Sequence, residues 1–260
     1  MGSWCGLHAF VAACLCLACG CSGTSSNPPA TAQSGGGSVR VRFAEGAPEL
    51  EAIINGVPQS IGQAYLQVNG QTVSSTFNYG SLTTFVPLSP GRLTLQALSV
   101  LGYRVGPFKS SHLTAGNDYT LALVGSYPNY RVLTFEEPAS SKGSPQLSLY
   151  EASPAVPSAD FGSFTASSRS NYKRLGSATL GNVATVSLGA HVANFGGYAG
   201  NGTKPFMCGS VACGDVTPAS VDTFNKHNEL PFHNASRLSL FLFDVNSGSA
   251  IGPVVGSLDQ

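Results

Sequence analysis

Charge is scarce in this chain. Lys, Arg, Asp and Glu make up 10% of its 260 residues, where about 25% is usual for globular proteins. The 13 basic and 13 acidic side chains cancel. That balance provides no basic face for a phosphate backbone, and a nucleic-acid partner is excluded. Acids are too few and too scattered to form an Asp-x-Asp-x-Asp calcium cluster. There is no Gly-x-Ser-x-Gly elbow for a serine hydrolase and no Gly-rich strand–helix junction for a nucleotide. No window of ten residues shows an amphipathic helix with caps. The only tryptophan is Trp4. What the chain does have is 31 glycines, 16 prolines and 42% apolar residues, too apolar for wholesale disorder.

The N-terminus differs from the rest. Met1 to Gly20 carries no Lys, Arg, Asp or Glu, and residues 6–19 form an almost unbroken apolar run. That run is too short to span a bilayer comfortably and fits the core of an export signal, although the usual leading positive charge is missing. The stretch Leu17-Ala18-Cys19-Gly20-Cys21-Ser22-Gly23 resembles a bacterial lipoprotein cleavage box, in which a cysteine thiol carries the lipid. Cys21 is the preferred lipid carrier and Cys19 the alternative; a plain secretory signal is the further reading. No second long apolar run occurs, so no transmembrane helix is expected elsewhere. Residues 21–38 are uncharged and almost devoid of bulky apolar groups. They are read as a flexible tether.

From residue 39 the apolar spacing is mostly two. Val39, Val41 and Phe43 alternate with Arg40 and Arg42, as on a strand with one wet face. Asn69-Gly70 between Tyr65–Val68 and Gln71–Val73 is a hairpin signal, because both turn residues tolerate positive φ. Further strands are expected over 82–88, 93–101, 119–124, 131–135, 146–150, 184–188, 237–245 and 251–258. The run Leu238-Ser239-Leu240-Phe241-Leu242-Phe243 predicts a strand buried on both faces. Residues 194–235, rich in Gly, Asn and Pro, are read as long loops. Many short strands separated by turns argue an all-β sandwich.

A weak internal repeat is present. Residues 39–52 resemble residues 145–161: each is a strand, then an acid, a small residue and an Ala-Pro or Ser-Pro turn. This predicts two tandem β-sandwich units over 39–140 and 141–260, after a signal over 1–20 and the tether. Glu45-Gly46-Ala47-Pro48, Val68-Asn69-Gly70, Tyr79-Gly80-Ser81-Leu82, Pro90-Gly91 and Ala115-Gly116-Asn117-Asp118-Tyr119-Thr120 occur in the order seen in an exported bacterial family, domain of unknown function 4397. Glu151-Ala152-Ser153-Pro154 restarts the pattern. The chain resembles that family with two departures: Ala44-Glu45 replaces the usual His, and residues 53–63 read as an insertion. The resemblance implies Ig-like sandwich units and supplies no catalytic residue.

Cys208 and Cys213 are the cysteines outside the N-terminal segment. Outside the cytoplasm such a pair oxidises, and four intervening residues allow the required Cα separation, so a structural disulfide is expected. His227 and His233 lie near Asp215, Asp222 and Glu229, but at neither His-Glu-x-x-His nor i, i+4 spacing. These, with His112 and His191, are read as solvated residues; a hydrolase or metalloenzyme using the 208–233 loops is the weakest alternative. Tyr127, Tyr130, Tyr172 and Tyr198 are candidates for stacking on a glycan ring, with ordinary packing as the plainer reading. The sequons at Asn201 and Asn234 are treated as chance. The sequence thus reads as a lipid-anchored protein of the bacterial cell envelope. It is expected to be non-enzymatic and without cofactor or metal, with a structural or adhesive role toward envelope proteins or glycans. A carbohydrate-binding module is the alternative.

Overall fold

The computed structural model describes residues 37–139, 146–164, 172–187, 194–199, 204–207, 219–220, 237–245 and 250–259. All regular structure among them is β. The first ten strands are β1 (Val39–Gly46), β2 (Glu51–Ile54), β3 (Val57–Ser60), β4 (Ala64–Val68), β5 (Gln71–Ser74), β6 (Val86–Leu88), β7 (Gly91–Ser99), β8 (Arg104–Leu113), β9 (Asp118–Val124) and β10 (Arg131–Glu136). They form one sheet in the order β10-β9-β1-β6, a second in the order β5-β4-β7-β8, and the separate hairpin β2-β3. β1 runs parallel to β9, with Val41 opposite Tyr119 and Gly46 opposite Val124.

Period-two alternation explains the core. Val39, Val41 and Phe43 of β1 face Leu66, Val68, Leu93 and Leu95 of the second sheet, all buried in one apolar cluster. Asn69 and Gly70 adopt positive φ at 50° and 81°, so the Asn-Gly turn matches strand twist. Asn55 and Gly56 do the same at 54° and 84° and close the β2-β3 hairpin, which occupies the segment read as an insertion. Its Ile53 and Val57 are exposed.

The later strands are β11 (Gln146–Glu151), β12 (Ser158–Phe164), β13 (Tyr172–Thr179), β14 (Val183–Ser187), β15 (Asn194–Ala199), β16 (Lys204–Met207), β17 (Ala219–Ser220), β18 (Arg237–Val245) and β19 (Ala250–Asp259). Their sheets run β14-β11-β18-β19 and β13-β12-β15-β16, with β17 beside β15. The earlier pattern recurs. β11 lies parallel to β18 and antiparallel to β14, as β1 lies parallel to β9 and antiparallel to β6.

Several expectations change. Leu82 makes only an isolated bridge to Ala44, so the expected strand over 82–88 shrinks to three residues around Pro87, which lacks a ladder donor. The region read as long loops contains β15, β16 and β17. β1 has no wet face over most of its length: Arg40 is exposed, but every residue from Val41 to Gly46 is buried.

The reason is the second set of strands. Ala44, Ala122, Val124 and Phe135 from the first sheet pack with Tyr150, Ala152, Phe241 and Phe243 from β11 and its neighbours. Tyr150 and Phe241 stack at 4.3 Å between centroids, and Phe135 meets Tyr150 edge-on at 5.4 Å. Gly46 admits the Phe243 ring, which a Cβ there would strike.

A charged knot lies in the same seam. Arg42 Nε donates to Thr120 Oγ1 at 2.7 Å, and its Nη2 donates to Glu137 Oε1 at 3.0 Å and to Ser239 Oγ at 3.2 Å. Glu137 also accepts from the Thr120 hydroxyl, from Tyr150 Oη at 2.5 Å and from Arg237 Nη1 at 3.2 Å. The Arg42, Glu137 and Arg237 side chains are 2%, 4% and 6% exposed. Charges this deep are tolerated because hydrogen bonds replace the lost water.

Candidate functional site

After β1 the chain turns through residues 47–50 into β2. Tyr130, from the turn between β9 and β10, holds that turn: its Oη accepts from Glu51 N at 2.9 Å and donates to Glu49 O at 2.8 Å. Its ring meets Phe108 edge-on at 6.3 Å. Burial, with the nearby Glu carboxylates, pushes the Tyr130 hydroxyl up to about 12. Asn129 N donates to Ser126 O at 2.6 Å, so residues 126–129 form a turn. Between β2, β8 and this turn opens a cleft of about 380 Å³. Glu51, Ile53, Arg104, Pro107, Tyr127 and Pro128 line it. A smaller cleft of about 240 Å³ lies against residues 47–50 and Phe77 to Tyr79.

Two buried carboxylates occupy matching places. Glu45 Oε1 accepts from Ala47 N at 2.8 Å, and Glu151 Oε1 accepts from Ser153 N at 3.0 Å. Around them the backbone repeats as well. Gly80 N donates to Glu45 O, and Gly181 N donates to Glu151 O, both at 2.8 Å. Each Oε2 lacks a hydrogen-bond partner among the described residues. Burial raises Glu45 well above the ordinary carboxyl range. It also raises Glu151 to about 8, with Asp244 adding to the shift and the Ser153 amide opposing it. These acids cap the turns that follow β1 and β11. Tyr79 Oη donates to Asp244 O at 2.6 Å, tying the first opening turn region to β18.

The expected tyrosines divide. Tyr127 is half-buried in the larger cleft, whereas Tyr130 spends its hydroxyl on the 49–51 backbone. Tyr172 begins β13 and Tyr198 lies on β15, two strands of another sheet. His112 is exposed on β8. Cys19, Cys21, Cys208, Cys213, His191, His227, His233, Asp215, Asp222 and Glu229 lie outside the described residues, so the lipidation, disulfide and 208–233 readings fall there too. Among the described residues no group of three His, Cys, Asp or Glu side chains is placed to hold a metal. No helix there is long and apolar enough to cross a membrane. Sequence reasoning did not single out Arg104 or Glu51 for the cleft, nor the partners of Arg42.

Residues 51–162, less than half of the chain, match the family model of a domain of unknown function, DUF4397. This stretch begins in β2 and ends in β12, and carries the hairpin and turn motifs from Val68 to Thr120. No curated protein matches the chain.

Proposed function

We propose that the protein is an exported, lipid-anchored component of the bacterial cell envelope whose role is structural or adhesive and not enzymatic. Cys21 carries the lipid, residues 22–37 are the leash, and two sandwich units form the body it displays. The seam joining the two strand sets carries this reading. Eight buried apolar side chains and the Arg42–Glu137–Arg237 knot favour a stiff body over loosely strung modules. Most buried ionisable groups described here serve turns or that seam, as scaffold residues do. The proposed Cys208–Cys213 disulfide suits the same oxidising compartment.

Metabolic labelling of the full chain with a fatty-acid analogue tests the anchor. Label is expected in the parent and in Cys19→Ser, and lost in Cys21→Ser. Label lost only in Cys19→Ser moves the anchor to that residue, and an unlabelled parent overturns it. Intact mass before and after reduction checks the disulfide: the reduced chain should gain two hydrogens.

A further inference from the structure

We propose that the larger cleft is a saccharide-binding site, with Tyr127 as the stacking surface and Glu51 and Arg104 as the polar clamp. This deepens the adhesive reading above by naming the class of partner.

The cleft brings together three chain segments remote in sequence: β2, the start of β8, and the turn between β9 and β10. Small-molecule sites are concave and mostly apolar, with a few polar groups that set orientation. Pro107 and Pro128 supply rigid apolar surface beside the Tyr127 ring. A pyranose has a face of C–H bonds that packs on an aromatic ring, and an equatorial edge of hydroxyls that both donate and accept.

Glu51 and Arg104 suit that edge. A carboxylate only accepts and a guanidinium only donates, so together they satisfy both capacities of neighbouring hydroxyls. Both line the cleft, and neither is in an ion pair among the described residues. One acid and one base give no net charge, which fits a neutral ligand. Tyr130 cannot share the polar work, since its hydroxyl already bonds the Glu49 and Glu51 backbone. It instead holds Glu51 in place and is a positioning residue.

The test uses the full-length chain in detergent micelles with ring-labelled tyrosine, followed by nuclear magnetic resonance. The Tyr127 signal is assigned by its disappearance in Tyr127→Phe. Methyl glycosides of glucose, galactose, mannose and N-acetylglucosamine are titrated in turn, with glycylglycine as a zwitterionic competitor. At least one glycoside should shift the Tyr127 signal saturably, with Kd of about 1 mM or weaker, near −4 kcal/mol.

Binding followed on the other tyrosine signals should weaken about tenfold in Tyr127→Ala and in Arg104→Gln, or about 1.4 kcal/mol each. Tyr103→Ala should leave it unchanged. Arg104 is exposed, so Arg104→Gln carries the test if Tyr127→Ala fails to fold. No shift with any glycoside overturns the proposal. So does a Tyr127 shift with glycylglycine alone, or unchanged affinity in Arg104→Gln. The fatty-acid labelling result is independent of all these outcomes.

Discussion

Removing the Glu137 carboxylate should do more damage than any comparable surface change. Glu137 accepts hydrogen bonds from Arg42, Thr120, Tyr150 and Arg237. In Glu137→Ala two guanidiniums lose a buried counter-charge, and two hydroxyls lose an acceptor. Breaking a buried ion pair from one side costs about 3–5 kcal/mol. For a body of this size each kcal/mol moves the thermal midpoint by roughly 2–4 °C, so a drop of about 6–20 °C is expected. Thermal unfolding of the full chain by circular dichroism measures it. The triple change Arg42→Met, Glu137→Leu, Arg237→Met removes every charge of the knot together, and should recover most of the loss, because its members no longer face desolvation without partners. A loss below about 1 kcal/mol in Glu137→Ala would refute the reasoning, since exposed pairs already reach that value.

Arg40→Ala should cost less than about 1 kcal/mol in the same assay, because Arg40 meets Asp118 at 3.5 Å with a side chain 58% exposed. Raising pH from 5 to 8 should destabilise the fold through Glu151 and Glu45. Their folded carboxyls hold the proton longer than the unfolded ones, so the stabilisation is complete below about 4.5. For Glu151 it fades as pH climbs toward about 8. Urea unfolding at both pH values should show that difference, and Glu45→Gln with Glu151→Gln should flatten it; an undiminished slope refutes the assignment. Gly46→Ala should lose about 1–3 kcal/mol by overpacking against Phe243, whereas Leu101→Ser, at a residue 78% exposed, should stay within about 0.5 kcal/mol. Denaturant midpoints separate these two.

Local signals were legible in the sequence where a turn or a pleat decides the structure. Asn69-Gly70 closes its hairpin as the residue types require, and Leu240 to Phe243 are buried on both faces as their unbroken apolar run implied. Arg42 was misread because its alternation with Val41 and Phe43 looks like any half-wetted strand. The groups that bury it include Ser239, 197 positions away, and no local pattern carries that distance. β8 escaped notice because Gly106-Pro107 and the polar stretch Lys109 to His112 mask its period. Of the cleft, only the tyrosines were legible. Glu51 and Arg104 become neighbours through pairing and turns that place β2 beside β8, and neither residue sits in a motif.

Apart from the β2-β3 hairpin and β17, the described strands of the two sets share one connectivity and turn the same kind of sheet toward each other. Each therefore supplies the cover its counterpart lacks. A chain carrying only the first set would leave Ala44, Ala122, Val124 and Phe135 bare, with Arg42 facing water across an oily plane. Such a fragment would have to borrow a lid from another molecule.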